Sequence, residues 1–545
     1  MPDYNVAEVH EAIAAALPDE ECLVFRDRRL TWQHVTDRTR QLANYLVAQD
    51  LGCQTERQHL AQHESGQDHL AIYLTNGNEY LECMLGAFKA RVAPFNVNYR
   101  YVAEELLYLL KDAKATVIVY SGAFAATLAE VLPQLPDLRV LIQVTDDSGA
   151  ELLPGAVEYE AALASMPTSK PAVVWSPDDL YILYTGGTTG MPKGVLWRQA
   201  DAFVGCFGGV EVDSLAEIVA SAPGGSRALP SPPFMHGAGH WISFMSWNRG
   251  STVHVQSIPD RLDPADVLGI VQREGINLLL IVGDAFGRPI LEELDRAQAA
   301  GQPYDLSQLQ AIISGGAALS APLKQRFLAQ VPHLTMIDGL GSSEAGGQSS
   351  QISTTAAPPT TGTFPMIKGN VVLSDDMKRV LEAGDPEVGW LAKSGRLPLG
   401  YFGDSAKSAR TWIAIDGVRY SVPGDRARLR DADTIELHGR ESATINSGGE
   451  KIFAEEIEAA LRNHTDVHDV VVTGRPSERW GNEVVAVVQL APGVTPDTVG
   501  LSTECAKHVA RYKLPKAYVF VDKVVRSPAG KADYRWAKQI AIEHG

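Results

Sequence analysis

The chain has few cysteines, no long apolar run and no excess of positive charge. Its 545 residues include only 5 cysteines, which are scattered, odd in number and outside metal-ligand spacing. This usage argues against a disulfide scaffold and predicts a cytoplasmic protein with free thiols. No apolar run approaches the roughly 18 residues of a membrane-spanning helix, so no transmembrane segment is expected. The net charge of −18 argues against nucleic acid as a partner.

Two familiar nucleotide-binding patterns are also missing from the glycine-rich segment Thr185–Lys193. The segment has neither the spacing of a Walker A loop nor that of Gly-x-Gly-x-x-Gly. It does combine glycines, threonine hydroxyls and a closing lysine between two apolar runs, at 180–184 and 195–197. Glycine lets backbone N–H groups approach a polyanion, while threonine adds donors and lysine adds charge. The composition therefore suits a phosphate-binding loop, although a Gly/Thr segment taken alone is more often an ordinary turn.

Short apolar strands alternate with amphipathic helices through most of the chain. The predicted strands are 69–74, 116–120, 139–144 and 277–282, and the predicted helices are 79–90, 104–110 and 265–274. Asp263 and Pro264 suit the cap and first turn of the last of these helices. This alternation predicts an α/β fold with a largely parallel sheet. Residues 52–67 and 356–370 are predicted to be loops because they are polar or rich in Pro, Gly and Thr.

A different pattern begins near residue 440. Predicted helices at 454–462 and 503–510 are interleaved with predicted strands at 467–473, 483–490 and 518–522. About 100 residues of mixed α and β structure suit an independent small domain. We therefore predict two domains, residues 1–441 and 442–545.

Two further segments carry carboxylates in positions suited to a nucleotide. Glu344 follows a Gly/Ser-rich turn, where a carboxylate can bind hydrated Mg²⁺ that bridges ATP phosphates. Taken alone, a glutamate on such a turn is more often a solvated surface residue. Asp425, in Pro-Gly-Asp, can accept two hydrogen bonds from ribose hydroxyls, and Arg440 supplies a guanidinium 15 residues later. An Asp and an Arg at this spacing are more often an unrelated surface pair.

Taken in order, these stretches resemble the adenylate-forming superfamily of acyl-CoA synthetases, amino-acid adenylation domains and beetle luciferases. Tyr-Thr-Gly-Gly-Thr-Thr-Gly-Met-Pro-Lys is similar to the phosphate loop of that superfamily, with Gly186 where Ser is usual. Gly-Leu-Gly-Ser-Ser-Glu is similar to its Tyr-Gly-x-Thr-Glu motif, with Leu340 in place of the aromatic that stacks on adenine. Arg-Ser-Pro-Ala-Gly-Lys is similar to its final motif, which carries the adenylation lysine. The resemblance covers nearly the whole chain. Within the superfamily, the motifs are most similar to those of actinobacterial fatty-acyl-CoA ligases, including ligases that act on steroid side-chain carboxylates.

The resemblance implies a role for each matching residue. Lys531, Glu344 and His236 would be catalytic, with Glu344 also the metal ligand. The ATP phosphates would be bound by Thr185, Gly186, Gly187, Thr188, Thr189, Gly190 and Lys193. Adenine and ribose would be bound by Gly315, Gly316, Ala317, Gly339, Leu340, Gly341, Ser343, Asp425 and Arg440. Ser442 would be the domain hinge, and Gly448, Gly449 and Lys451 would form the loop on the CoA side.

The resemblance also implies a region for the acyl group, near His236. An amino-acid-activating relative would have Asp at about Met235, so its absence argues against amino-acid substrates. Trp241, Phe244, Met245 and Trp247 could line an acyl pocket, although a stripe of this kind is more often core.

The implied fold is a large N-terminal domain of mostly parallel sheets with a small β subdomain, followed by a small mobile α+β domain. The implied reaction uses ATP, Mg²⁺ and CoA: a fatty or steroidal carboxylate becomes an acyl-AMP, with loss of pyrophosphate, and is then transferred to CoA. Three alternatives stay open: an acyl-AMP ligase that loads a carrier protein, a luciferase-type oxygenase, and a nucleotide-binding regulator without turnover. The sequence does not decide between a monomer and a homodimer.

Overall fold

The computed structural model describes residues 2–185, 191–447, 450–477, 480–509, 511–527 and 530–544. The strands are β1 (Glu21–Phe25), β2 (Arg28–Thr31), β3 (His69–Tyr73), β4 (Ala93–Asn96), β5 (Val117–Ser121), β6 (Val140–Val144), β7 (Ala156–Glu158), β8 (Leu180–Thr185), β9 (Lys193–Arg198), β10 (Arg227–Pro230), β11 (Thr252–Val255), β12 (Leu278–Ile281), β13 (Ala311–Gly315), β14 (Thr335–Ser342), β15 (Gly346–Ser353), β16 (Thr363–Pro365), β17 (Asn370–Leu373), β18 (Gly389–Lys393), β19 (Gly400–Tyr401), β20 (Trp412–Ile415), β21 (Val418–Ser421), β22 (Asp425–Asp431), β23 (Thr434–Arg440), β24 (Thr444–Ser447), β25 (Glu450–Phe453), β26 (Val467–Ser477), β27 (Gly481–Leu490) and β28 (Ala517–Phe520). The helices are α1 (Val6–Ala16), α2 (Trp32–Ala48), α3 (Asn78–Lys89), α4 (Ala103–Asp112), α5 (Ala125–Val131), α6 (Tyr159–Ala164), α7 (Gln199–Gly205), α8 (Leu215–Ala220), α9 (Gly237–Trp247), α10 (Pro264–Glu274), α11 (Gly283–Ala299), α12 (Ala321–Gln330), α13 (Ser405–Thr411), α14 (Ala454–Leu461), α15 (Thr498–His508) and α16 (Tyr534–Glu543). Among these described segments, no helix combines the length and the apolar character that crossing a membrane requires.

Two eight-stranded sheets form the large N-terminal part. One has the strand order β19-β9-β8-β4-β3-β5-β6-β7 and is parallel from β8 to β7. The other has the order β15-β14-β13-β12-β10-β11-β1-β2 and is parallel from β14 to β1. Strands such as β3 and β5 are buried along their whole length, as expected of parallel strands that are covered on both faces. The predicted α/β class and mostly parallel sheets are confirmed.

A mainly antiparallel sheet follows the second of these sheets. It has the order β16-β23-β22-β18-β21-β20, with β17 paired to β18. It forms the β subdomain, and its own small apolar core includes Val372, Leu391 and Ile435. The hairpin of β22 and β23 ends at Arg440, directly before the small C-terminal part.

The small C-terminal part has a three-stranded sheet, β26-β27-β28, packed with helices. Val470, Val472, Val484 and Val488 of its strands pack with Ile457 and other residues in one buried cluster. The predicted small α+β unit is thereby confirmed. The exact division between residues 441 and 442 stays a prediction.

Most of the predicted elements occur within a few residues of their expected bounds. The side chain of Asp263 accepts a hydrogen bond from the backbone N–H of Asp266, and Pro264 begins α10, as expected. The loop predicted over 356–370 is wrong in part, because β16 lies within it. That strand has only three residues and ends in proline, so its pairing with β23 depends on tertiary structure rather than on a local pattern.

Candidate active site

A large cavity lies at the carboxyl edge of the second sheet, between that sheet, the β subdomain and the C-terminal domain. The parallel strands β12, β13 and β14 end side by side, so the loops that follow them meet at this edge. The cavity volume is about 1790 Å³. Typical small-molecule sites occupy roughly 300–1,000 Å³. The cavity therefore has room for a nucleotide together with a second ligand.

The structure brings most of the described candidate residues to this cavity. They are Thr185, His236, Gly315, Gly316, Ala317, Gly339, Leu340, Gly341, Ser343, Glu344, Asp425, Arg440 and Lys531. Six stretches that lie far apart in the chain therefore border one space, as the family resemblance implied. Their individual roles stay predictions.

The remaining candidates lie elsewhere or outside the described residues. Lys193 is not part of the described lining, and its Nζ lies 3.7 Å from Oδ2 of Asp404. Ser442 lies in the short 3₁₀ turn that links the two domains, and Lys451 lies in β25. Gly186, Gly187, Thr188, Thr189 and Gly190 and the pair Gly448 and Gly449 fall outside the described residues.

Glu344 is held in the turn between β14 and β15 by hydrogen bonds from β20 and β21 of the β subdomain and from β19 of the first sheet. Its backbone carbonyl accepts hydrogen bonds from Trp412 Nε1 at 3.2 Å and from Ser421 Oγ at 2.7 Å. Its Oε1 accepts one from the Tyr401 hydroxyl at 3.0 Å. Burial, and then the charge of Glu344, raise the pKa of Tyr401, so this hydroxyl stays a donor. The carboxylate is thus oriented toward the cavity.

These supporting residues were not found by sequence reasoning. Tyr401, Trp412 and Ser421 lie 57 to 77 positions beyond Glu344 in the chain. No local spacing connects them with the Gly/Ser turn, because Tyr401 reaches it from β19 of the first sheet, and Trp412 and Ser421 reach it from the β subdomain.

Asp425 and Arg440 face each other across the antiparallel pair of β22 and β23. Arg440 Nε lies 3.2 Å from Asp425 Oδ1, and Asp425 is the largest cause of the raised pKa of Arg440. The sequence left open an unrelated surface pair, but the hairpin places the two groups together on the cavity wall. A carboxylate oriented by a guanidinium can accept hydrogen bonds from vicinal hydroxyls.

Leu340 also borders the cavity, where the resembling family has an aromatic. Its side chain packs partly against the core of the β subdomain, beside residues such as Val372 and Leu391. The residue at this position therefore contributes to packing between the sheet and the subdomain.

His236 lies at the N-cap position of α9 and lines the cavity. Burial, and then the charge of Lys531, lower its pKa to about 3. Its Nε2 has no hydrogen-bond partner among the described residues. A neutral imidazole with a free nitrogen can hydrogen-bond a ligand, but at neutral pH it cannot form an ion pair with a carboxylate.

Lys531 extends into the cavity from the C-terminal domain. A Cβ atom placed on Gly316 would lie 3.9 Å from Lys531 Cε, so the end of the lysine side chain lies directly over the turn after β13. Burial, and then the charge of Arg440, lower the pKa of Lys531, while Glu344, Asp425 and Glu455 oppose the change. The lysine thus enters the same electrostatic environment as Glu344 and Asp425.

Helix α9 supplies an apolar wall next to His236. Trp241 and Met245, one helical turn apart, line the cavity, and Trp241 Nε1 donates a hydrogen bond to the Tyr181 hydroxyl at 3.0 Å. Phe244 and Trp247 lie on the other face and are buried in the core. The suggestion that all four aromatic and methionine side chains line a pocket is therefore wrong for Phe244 and Trp247.

Glu455 of α14 is a partly buried carboxyl at the domain junction. A Cβ on Gly439 would lie 3.0 Å from its carboxyl carbon, so only glycine fits this close approach without displacement. Burial, followed by the charges of Glu458 and Asp425, raises its pKa to about 7, although Arg440 and Arg462 act against this. The protonated carboxyl is therefore favoured in the folded chain.

This raised pKa predicts a pH-dependent loss of stability. The stabilisation of a group whose pKa is raised on folding is present below its unfolded pKa and is lost as pH rises through its folded value. Between pH 6 and 8 we expect the thermal midpoint of the wild type to fall by about 2 °C relative to Glu455→Gln, which mimics the protonated group. Thermal unfolding of both proteins across this range checks it. A difference that does not change with pH would contradict the assignment.

The sequence of the chain matches a known protein family and several characterised relatives. The profile of the AMP-binding enzyme family matches residues 10–399, and that of the AMP-binding enzyme C-terminal domain matches residues 456–531. The medium-chain acyl-CoA ligase Mig of Mycobacterium avium is 50% identical, over 99% of this chain and 98% of the relative. The 3-oxocholest-4-en-26-oate–CoA ligase of Rhodococcus rhodochrous is 37% identical, over 98% of this chain and 95% of the relative.

Solved structures show the same fold at low identity. The anthranilate CoA ligase AuaEII in complex with anthranoyl-AMP superposes with a TM-score of 0.83 at 19% identity, over 100% of this chain and 99% of the other. ATP-bound MatB from Rhodopseudomonas palustris superposes with a TM-score of 0.81 at 21% identity, over 98% of each chain. With both family profiles, the full-length relatives and this fold in agreement, the chain belongs to the AMP-binding enzyme family of the adenylate-forming superfamily.

Proposed function

We propose that this protein is an ATP-dependent, AMP-forming acyl-CoA ligase for medium-chain fatty acids. The observation that supports this most is that Lys531 of the C-terminal domain borders the same cavity as Glu344 and the Asp425–Arg440 pair. The full-length relative at 50% identity is a medium-chain acyl-CoA ligase, which supports the same activity and substrate class.

In the first half-reaction, a carboxylate oxygen of the acid bonds to the α-phosphorus of ATP. The bond from that phosphorus to the oxygen of pyrophosphate breaks, giving acyl-AMP and pyrophosphate. Negative charge accumulates on the oxygens around phosphorus, and the Lys531 ammonium would stabilise it. Asp425, oriented by Arg440, would accept hydrogen bonds from the ribose hydroxyls. The backbone of the turn at Gly315–Ala317 would lie along adenine.

Glu344 is the residue suited to hold Mg²⁺. Among the described residues no group of three His, Cys, Asp or Glu side chains could hold a metal ion. A cation at this carboxylate would therefore take its other ligands from phosphate oxygens and water, which is the usual coordination of Mg²⁺ with nucleotides. When bound, it would neutralise part of the triphosphate charge.

In the second half-reaction, the CoA sulfur bonds to the acyl carbon and the carbon–oxygen bond to AMP breaks, while the thiol proton is released. No protein nucleophile is needed. A rotation of the C-terminal domain about Ser442 would withdraw Lys531 and bring the loop of Gly448, Gly449 and Lys451 toward the cavity.

The apolar wall beside His236 supports a fatty substrate. Trp241 and Met245 offer an alkyl chain a surface without charged groups, and a neutral His236 can orient the carboxylate with one hydrogen bond. Steroid side-chain acids are the second candidate, because a 37% identical full-length relative acts on 3-oxocholest-4-en-26-oate.

The activity is tested with purified protein, ATP, Mg²⁺ and CoA, and a panel of straight-chain acids and one steroid side-chain acid. We expect pyrophosphate release and acyl-CoA formation, with the highest kcat/KM for medium-chain acids. Pyrophosphate release without a CoA thioester would instead favour a ligase that loads a carrier protein. ATP binding without pyrophosphate release would favour a regulator and refute the proposal.

A further inference from the structure

Asp284 and Arg462 form a buried ion pair between the two domains. Asp284 lies in the first turn of α11, in the large domain, and Arg462 directly follows α14 of the C-terminal domain. Arg462 Nε lies 3.7 Å from Asp284 Oδ2, and the two side chains are only 9% and 8% exposed. Buried charges are costly unless they are paired, so this contact has a larger energetic effect than a surface pair.

Within the C-terminal domain, Arg462 already forms an ion pair with one carboxylate, that of Glu458. Its Nη2 lies 3.2 Å from Glu458 Oε2 and also donates a hydrogen bond to the Val470 carbonyl at 3.2 Å. Glu458 in turn accepts a hydrogen bond from the backbone of Val472 at 3.0 Å. Glu458 thus neutralises Arg462 inside its own domain, and Asp284 adds a second carboxylate from the other domain.

Asp284 is itself firmly placed. Its Oδ1 accepts a hydrogen bond from the Ser320 N–H at 2.7 Å, and its own N–H donates to the Ala318 carbonyl at 3.1 Å. Both partners belong to the segment that continues from the turn at Gly315–Ala317. Oδ2 accepts no hydrogen bond from the described residues, which leaves it directed at Arg462.

A continuous set of contacts runs from this pair to Lys531. Val470 follows Asp469, and Asp469 forms an ion pair at 2.6 Å with Arg526. Arg526 Nη1 donates a hydrogen bond at 3.1 Å to the carbonyl of Gly530, the residue before Lys531. The loop of Lys531 is therefore fixed to the strand that Arg462 contacts.

The same loop rests on the beginning of α11. A Cβ on Gly530 would lie 3.1 Å from the Ala285 Cβ and 3.4 Å from the Val282 carbonyl oxygen. Ala285 is the neighbour of Asp284. Asp284, which forms the ion pair, and Ala285, which contacts Gly530, are thus adjacent residues in the first turn of α11.

We propose that Asp284 and Arg462 are positioning residues that hold the Lys531 loop over the cavity for acyl-AMP formation. Both side chains also border the cavity, and we assign the pair an indirect role that acts through Lys531. The inference rests on the proposed function, because it assigns the pair to the first of the two half-reactions.

The test variant is Asp284→Asn, which keeps the size of the side chain and the hydrogen bond from Ser320 but removes the charge. We expect acyl-AMP formation, measured as acid-dependent ATP–pyrophosphate exchange, to fall about tenfold, and thioester formation from supplied acyl-AMP to change less than about twofold. Arg462→Met should likewise lower acyl-AMP formation and leave thioester formation nearly unchanged. Arg462→Lys keeps the charge, so it should retain most of the acyl-AMP formation.

Glu292→Gln is the matched control, since Glu292 also lies on α11 and faces the C-terminal domain. Its Oε1 lies 3.8 Å from His468 Nδ1, but the two side chains are 53% and 27% exposed, so solvent screens the pair. We expect this variant to keep both half-reactions within about twofold of wild type. Equal loss of both half-reactions in Asp284→Asn, or the same effect in Glu292→Gln, would overturn the proposal.

A second measurement does not depend on catalysis. In the double variant Glu292→Cys and His468→Cys, a short bis-maleimide should bridge the two thiols when the domains are packed as described. The bridged peptide can be quantified by mass spectrometry. Adding Asp284→Asn should lower the yield several-fold. An unchanged yield would overturn the positioning role even if the wild type formed no acyl-AMP, whereas a lowered yield with no wild-type acyl-AMP would refute only the proposed function.

Discussion

Replacing Lys531 by alanine is expected to lower acyl-AMP formation about 10²–10³-fold, while thioester formation from supplied acyl-AMP stays within about threefold of wild type. Among the cations that the C-terminal domain places along the cavity, Lys531 is the one that lies over the turn at Gly316. Its charge is needed where negative charge develops around phosphorus, and that happens only in the first half-reaction. Separate assays of pyrophosphate exchange and of thioester formation measure the two effects.

Lys523→Ala provides the matched control for this prediction. Lys523 lies in the same domain, eight positions before Lys531, and its side chain is exposed to solvent. This control should leave both half-reactions unchanged. A comparable loss in the two half-reactions of Lys531→Ala would mean that the lysine supports the fold rather than the transfer to phosphorus.

Replacing Glu344 by glutamine is expected to lower acyl-AMP formation about 10²-fold and to raise the Mg²⁺ concentration at half-maximal rate about tenfold. Glutamine can still accept the hydrogen bond from Tyr401 and leaves the backbone contacts of residue 344 with Trp412 and Ser421 intact. The change therefore removes charge with little loss of structure. Initial rates measured across a Mg²⁺ titration test both parts of the prediction.

Tyr401→Phe separates the orientation of this carboxylate from its charge. It removes the hydroxyl that donates to Oε1 and keeps the carboxylate charge, so we expect a loss of about threefold to tenfold and little change in the Mg²⁺ requirement. If Glu344→Gln instead kept the wild-type Mg²⁺ titration, the metal-binding role of Glu344 would be refuted.

The general fold was accessible from local patterns in the sequence. Apolar runs such as those of β3, β5 and β12 alternate with amphipathic helices, and this alternation is typical of parallel sheets. The capped start of α10 at Asp263 and Pro264 was equally local. By contrast, β16 could not be predicted, because three residues paired with a distant strand give no periodic signal.

The candidate site was accessible mainly through the order of its motifs. Glu344, Asp425 and Lys531 are each unremarkable in isolation, and the family resemblance rather than spacing joined them. The residues that support them could not be predicted in this way. Tyr401 reaches Glu344 from β19 at the edge of the first sheet, and Arg462 meets Asp284 through the packing of two domains. Such contacts depend on tertiary geometry that no single sequence window contains.

The division of α9 into two faces has a consequence for how substrate preference can change. Trp241 and Met245 border the cavity, whereas Phe244 and Trp247 belong to the core. Mutation of Met245 alters the space available to an acyl chain while it keeps the hydrogen bond from Trp241 to Tyr181. Preference for chain length can therefore diverge among descendants of this protein, or be redesigned, at small cost to folding.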